Sequence, residues 1–305
     1  MSNYDDLFIA YEKMISGRGF VERQDWSTVV VTGEDRVSFL HNLCSNDIKQ
    51  LSTGESCEAF FADVKGKIVG HVVVLSSSDR ITLVTVPDQA EALISHLDRY
   101  IIREDVQLTN ATDAHAWLVV FPSEALGKWI ENRSVTHLIL SDAKTFAGPM
   151  VGVAATDHER AIATLVEHGL TECDTGVAEV LRIEARQPVF DVDFDGSNLP
   201  QEVDRDAIAI NFNKGCYLGQ ETIARIDALG HVNKKVVALQ FAGDSVPAIG
   251  TELTVDSNAV GMVTSSCWSP KHCAPLAMAM VRRGANEHGT QLQSDFGLAT
   301  VLPTS

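Results

Sequence analysis

Apolar residues recur along this chain with two different periods. The β-branched run WSTVVV, from Trp26 to Val31, reads as a strand, and Gly33-Glu34-Asp35 then opens a short helix through Phe39, Leu40 and Leu43. A hairpin follows, in which CEAFFADV turns at Lys65-Gly66-Lys67 into IVGHVVVL. RITLVTV adds a third strand before Pro87-Asp88 starts a helix with Leu93, Ile94, Leu97, Tyr100 and Ile101 on one face. Strand pattern resumes at 117–121. The segment 158–169 is amphipathic through Ile162, Leu165 and Val166 and ends on a glycine. Over 176–186 a further helix places Val177, Val180, Leu181 and Glu184 on one face, so that a carboxylate stands at an apolar stripe or on its edge. Beyond Val232 the texture changes to short β-prone runs (VVALQF, TELTV, AVGMVTSS, LAMAMV, LATVL), which favour a small antiparallel barrel or sandwich.

These patterns predict an α+β chain of three units. An N-terminal α+β domain covers 1–110, a middle α+β domain covers 111–231 with exchange of segments between the two, and a β domain covers 232–305. A length of 305 residues favours more than one core, and 45% hydrophobic with 21% charged residues is a globular composition. Lys and Arg number 24 against 41 Asp and Glu. The resulting charge of −17 repels phosphate backbones and anionic lipid, so neither direct nucleic-acid binding nor membrane association is expected. A local basic group of Lys214, Arg225, Lys234 and Lys235 remains a candidate for holding a small anion. The opening MSNYDDLFIAYEKM resembles neither a secretory signal nor a transit peptide, and the six cysteines read as reduced thiols in a cytoplasmic setting.

The densest chemistry lies in NKGCYLGQE, residues 213–221. Gly215 and Gly219 allow close backbone approach or positive φ, Gly219-Gln220-Glu221 enters a helix, and Glu221 and Arg225 stand four apart on it. Cys216 precedes that helix with Lys214 two residues away, a setting that favours thiolate; the plainer alternative is a buried cysteine in a turn with Lys214 in solvent. Cys267 and Cys273 flank an imidazole, but their C-x5-C spacing is not that of a zinc site, and His41 with Cys44 reads as ordinary helix packing. No metal is expected.

KGCYLGQETIAR resembles the signature of the YgfZ/GcvT-like folate-binding family, K-G-C-Y-x-G-Q-E followed by a nearby arginine. The likeness extends through DWSTVVVTGEDRVSFLHNLCSNDI, the hairpin at Asp63-Val64-Lys65-Gly66-Lys67, LRIEARQPVF, Leu199-Pro200-Gln201-Glu202 and the strands around Val260–Ser266 and Met280–Arg283. It implies an aminomethyltransferase-like fold of three domains around a tetrahydrofolate pocket, with a C-terminal antiparallel β-barrel. Relatives divide between the glycine-cleavage aminomethyltransferase, which moves a one-carbon unit, and YgfZ-type proteins, which support iron–sulfur enzymes. The transferase keeps an Asp in the strand after the hairpin, where this chain reads Lys65-Gly66-Lys67-Ile68-Val69-Gly70-His71. His71 is either a substitute for that acid or a packed residue, and enzymatic activity is left open.

The cysteine signature points to the YgfZ branch. What it implies is a tetrahydrofolate-binding protein that supports iron–sulfur cluster assembly, including that of radical tRNA-modifying enzymes, with iron–sulfur client or assembly proteins as partners. Cys216 and Lys214 then form the reactive site. Trp26 offers a stacking face, unless it is simply core; a second tryptophan used by some relatives aligns near Ala178 and is absent. Glu184 accepts paired N–H bonds from the pterin, and Glu202 and Arg225 are further ligand candidates, the latter for a folate carboxylate. The alternatives are a folate-dependent aminomethyltransferase and a non-catalytic folate-dependent scaffold.

Overall fold

The computed structural model describes residues 2–121, 124–131, 137–141 and 150–303. In chain order they form α1 (Ser2–Ile15), β1 (Gly19–Arg23), β2 (Ser27–Thr32), α2 (Arg36–His41), β3 (Ser56–Ala62), β4 (Ile68–Ser76), β5 (Ile81–Thr85), α3 (Ala90–Asp98), β6 (Gln107–Asn110) and β7 (His115–Val120). Next come α4 (Glu124–Glu131), β8 (His137–Ser141), β9 (Met150–Ala154), α5 (His158–Glu167), β10 (Thr171–Glu172), α6 (Thr175–Glu184), α7 (Asp206–Ala209) and α8 (Gln220–Leu229). The C-terminal strands are β11 (Lys234–Phe241), β12 (Glu252–Val255), β13 (Asn258–Ser269), β14 (Ala274–Arg282), β15 (Gln291–Ser294) and β16 (Gly297–Val301).

Two five-stranded sheets, ordered β3-β4-β5-β2-β6 and β10-β1-β7-β9-β8, precede a closed barrel ordered β11-β14-β13-β12-β15-β16. The barrel resolves the choice between barrel and sandwich. Closure leaves no unpaired edge in a unit made of short strands. Segment exchange is explicit in the pairing: β1, which precedes every strand of the β3–β6 sheet in sequence, joins β7 and β10 instead. In return, α7 packs against β3.

Each unit has its own apolar core, and a larger one lies where all three meet. Trp26 just before β2 and Phe60 on β3, Trp117 and Val119 from the other sheet, and Val236, Leu276 and Met278 from the outer wall of the barrel share this central cluster. Alternation explains how the barrel serves two cores: along β11, Val237 and Leu239 face inward while Val236 and Ala238 face the rest of the chain. A polar lock fixes the barrel in place. Arg182 on α6 donates to Asp193 (2.9 Å), whose other oxygen accepts from Thr264 (2.6 Å) and Ser265 (2.7 Å) on β13. Among the described residues no helix is long and apolar enough to cross a membrane.

Candidate functional site

Residues 213–221 form a loop clamped at both ends. Lys214 is only 8% exposed, and its ammonium lies beyond the C-terminal end of α2, donating to the carbonyls of His41 (2.5 Å), Cys44 (2.7 Å) and Asn46 (2.8 Å). Carbonyls at and past a helix end lack intrahelical donors, so a cation there satisfies three acceptors at once. The Tyr217 ring stands 5.0 Å from the same ammonium, and Leu218 N–H donates to Asn42 (3.0 Å). Burial lowers the Lys214 pKa from its usual value, against the opposing pull of Cys44 and Asp47. Between the buried Lys214 and Tyr217 the chain turns outward and exposes Cys216.

The loop then docks on the hairpin that the sequence singled out. Gly219 has φ +81°, and a β-carbon there would stand 2.7 Å from the Asp63 carbonyl oxygen; a β-carbon on Gly66, at φ +77°, would stand 2.8 Å from Cβ of Thr222. These two glycines let the signature and the Lys65-Gly66-Lys67 turn touch backbone to backbone. Gly215 has open space around it and no positive φ, so only the second glycine of the signature has the expected role.

The structure corrects the part assigned to Lys214. Its hydrogen bonds go to α2 and the turn after it, so it shapes the loop that presents the thiol and is not positioned as the activating neighbour of Cys216. The basic group of four also dissolves: Lys214 is buried and Lys235 pairs with Asp204. Arg225 is exposed on α8. Glu202 is buried and accepts from Asn198 (2.8 Å) and from Leu199 N–H (3.1 Å), fixing the turn that follows, which is a structural duty.

Trp26 is 2% exposed, with the Arg23 guanidinium 5.0 Å over its ring. An open stacking face is therefore not presented here; the indole is core. Glu184 is better placed for recognition. It ends α6 where α1 and the barrel converge, accepting from Tyr11 (2.8 Å) and from Ser269 (2.5 Å). Burial and this carboxylate together raise the Tyr11 pKa above its ordinary value. Beside this junction, Trp268, Cys267 and Lys13 line a cleft of about 740 Å³, a volume suited to a small-molecule ligand.

No acid stands at Gly70, yet one reaches His71 from the neighbouring strand. Glu58 on β3 lies 2.7 Å from His71 Nε2, and Arg205 grips the same carboxylate through Nε (2.9 Å) and Nη2 (2.5 Å). Burial opposes ionisation of Glu58, but His71 and Arg205 outweigh it and hold the carboxyl well below its usual range. The His71 ring stacks on Phe60 at 4.6 Å, and both Glu58 and His71 are 2% exposed. As it stands, this charged group is a sealed strut joining the neighbouring strands β3 and β4 to Arg205 at the start of α7, with no access for a substrate.

Residues 234–303 match the model of the glycine cleavage T-protein C-terminal barrel domain. The aminomethyltransferase of Halalkalibacterium halodurans is 23% identical over 92% of this chain and 83% of its own length. The tRNA-modifying protein YgfZ of Aliivibrio fischeri (strain MJ11) is 25% identical over 75% of this chain and 73% of its own. The solved structure of the glycine cleavage system aminomethyltransferase T from Bartonella henselae superposes with a TM-score of 0.84, covering 96% of this chain and 88% of that one at 16% identity. Over most of its length the chain is similar to aminomethyltransferases and YgfZ proteins, and it shares the aminomethyltransferase fold. The residues that sequence reading missed are Tyr11, Ser269 and Trp268 around Glu184, and Glu58 with Arg205 around His71. Only Glu184 and His71 carried a local signal: Tyr11, Ser269 and Arg205 join from distant segments, and Glu58 from the paired strand of the hairpin.

Proposed function

We propose that this chain is a folate-related protein of tRNA modification, acting through support of iron–sulfur enzymes, with tetrahydrofolate or a derivative bound near Glu184 and Cys216 as its functional thiol. The relatives named tRNA-modifying protein YgfZ support the broader part of this reading. The observation that carries the finer part is the clamped loop: Lys214 and Tyr217 are buried, two glycine contacts hold the hairpin, and the one side chain offered to solvent between the clamps is a thiol. Such an arrangement fixes Cys216 for a partner rather than for a buried chemical step. The partners of this reading are iron–sulfur client or assembly proteins, and its setting is the cytoplasm.

Of the residues named for folate, Glu184 fits and Trp26 does not. A carboxylate at a half-buried junction accepts paired N–H donors once Tyr11 and Ser269 yield it, whereas the Trp26 indole has no free face. Aminomethyl transfer is the second reading, favoured by the relatives of that name. Against it stand Gly70 where the acid is expected and the sealing of His71 with Glu58.

Native-state alkylation followed by mass spectrometry tests the thiol: Cys216 and Cys273 are modified first, while Cys44, Cys57, Cys173 and Cys267, whose pKa values burial raises, lag behind. In cells lacking the chain's own gene, wild type restores iron–sulfur-dependent tRNA modification and Cys216→Ala does not. Full restoration by Cys216→Ala removes the thiol from the account.

A further inference from the structure

A second cleft, of about 620 Å³, lies between the barrel, the turn Pro200–Val203 and the C-terminal end of α8. It contains none of the residues assigned above to folate or to the thiol loop. Two of its acceptors are left over. Gln201 is 5% exposed; its amide nitrogen donates to the Ile223 carbonyl (2.7 Å), while its Oε1 has no hydrogen-bond partner among the described residues. Asp206 at the start of α7 likewise has a buried Oδ1 with no partner among them. A buried carbonyl and a buried carboxylate oxygen each lose free energy when desolvated without a donor, so their placement in one cleft calls for a ligand that donates.

Charge narrows the class. Of the cations that line the cleft, Lys235 pairs with Asp204, Arg186 donates to the Pro303 carbonyl and Arg283 is exposed, while Asp227 on α8 and Glu287 add further carboxylates to the wall. Burial is the main reason the Asp206 carboxyl is pushed up to about 6, with Asp204 and Asp227 adding to it and Lys235 opposing. Besides the polar His231, Asn286 and His288, the wall carries an apolar stretch of Val203, Ile226, Val236, Met278 and Leu302. We propose that this cleft binds a small organic cation, a protonated amine on an aliphatic body, with the ammonium at Gln201 Oε1 and Asp206 Oδ1 and the hydrocarbon along the apolar wall.

Calorimetric titration of the full chain with 1,4-diaminobutane tests this, with 1,4-butanediol as the uncharged counterpart and salt at about 0.15 M to screen diffuse attraction to an acidic protein. The expected result is saturable binding of one diamine per chain and none of the diol. Asp206→Asn should weaken binding roughly tenfold or more, the order expected for loss of a charged hydrogen bond. Asp227→Asn, on the exposed side of the cleft, should weaken it less and serves if the first variant does not fold. Asp244→Asn, an exposed residue outside the cleft, should change nothing. Absence of saturable binding, equal binding of the diol, or binding unchanged in both cleft variants would overturn the proposal.

Discussion

At the scale of single residues, Lys214 and Asp206 are opposite cases of a buried charge. Lys214 has three acceptors within hydrogen-bond reach, so replacing it strands three carbonyls at the end of α2. Lys214→Met is expected to cost about 2–4 kcal/mol in urea unfolding, the range for leaving buried polar groups unsatisfied. Asp206 has too few partners. Its folded pKa of about 6 lies above the usual 3.8, so the native state holds its proton more tightly than the unfolded chain, and stability falls as pH rises from about 4 to about 6. Asp206→Asn removes that loss: the variant is expected to be more stable than wild type by about 1–3 kcal/mol at pH 7, with the difference fading below pH 4. Thermal melts across this range check the sign. A carboxylate kept at such a cost is what a binding cleft, more than a scaffold, requires.

At the scale of elements, the coupling of the signature loop to the β3–β4 hairpin depends on two positions without side chains. Gly219→Ala combines positive φ with a clash against the Asp63 carbonyl, and neither is relieved by rotating a side chain. The expected loss exceeds about 1 kcal/mol, and hydrogen exchange should quicken in both the loop and the hairpin, not in the loop alone. Much at this scale was legible in the chain itself. WSTVVV, CEAFFADV and IVGHVVVL became β2, β3 and β4 because β-branched and aromatic runs bounded by turns have few other uses, and 158–169 and 176–186 became α5 and α6 through their 3.6-residue stripes. Contacts across the sequence were not legible. Nothing local to Glu58 announces Arg205, 147 positions away, nor does the Lys-Gly-Cys spacing reveal that Lys214 turns back to α2, 170 positions from Cys44. A buried lysine was discounted because lysine is so seldom inside; three bare carbonyls at a helix end reverse that expectation.

At the scale of the whole molecule, three units meet on one apolar cluster, and polar ties at its margin set what a ligand can reach. Glu184 joins α1, α6 and the barrel through Tyr11 and Ser269, and Asp193 ties α6 to β13, so the junction near Glu184 is the place where binding can bear on all three units at once. Cys216 belongs to a different face, the clamp between α2, the hairpin and α8. Separation of folate from thiol is therefore the central claim, and a calorimetric titration of tetrahydrofolate into wild type, Glu184→Ala, Trp26→Ala and Cys216→Ala tests it most directly. The account predicts saturable binding in wild type, undiminished in Cys216→Ala and lost in Glu184→Ala, with Trp26→Ala affecting stability more than affinity. No binding in wild type, or binding lost in Cys216→Ala and kept in Glu184→Ala, would contradict it.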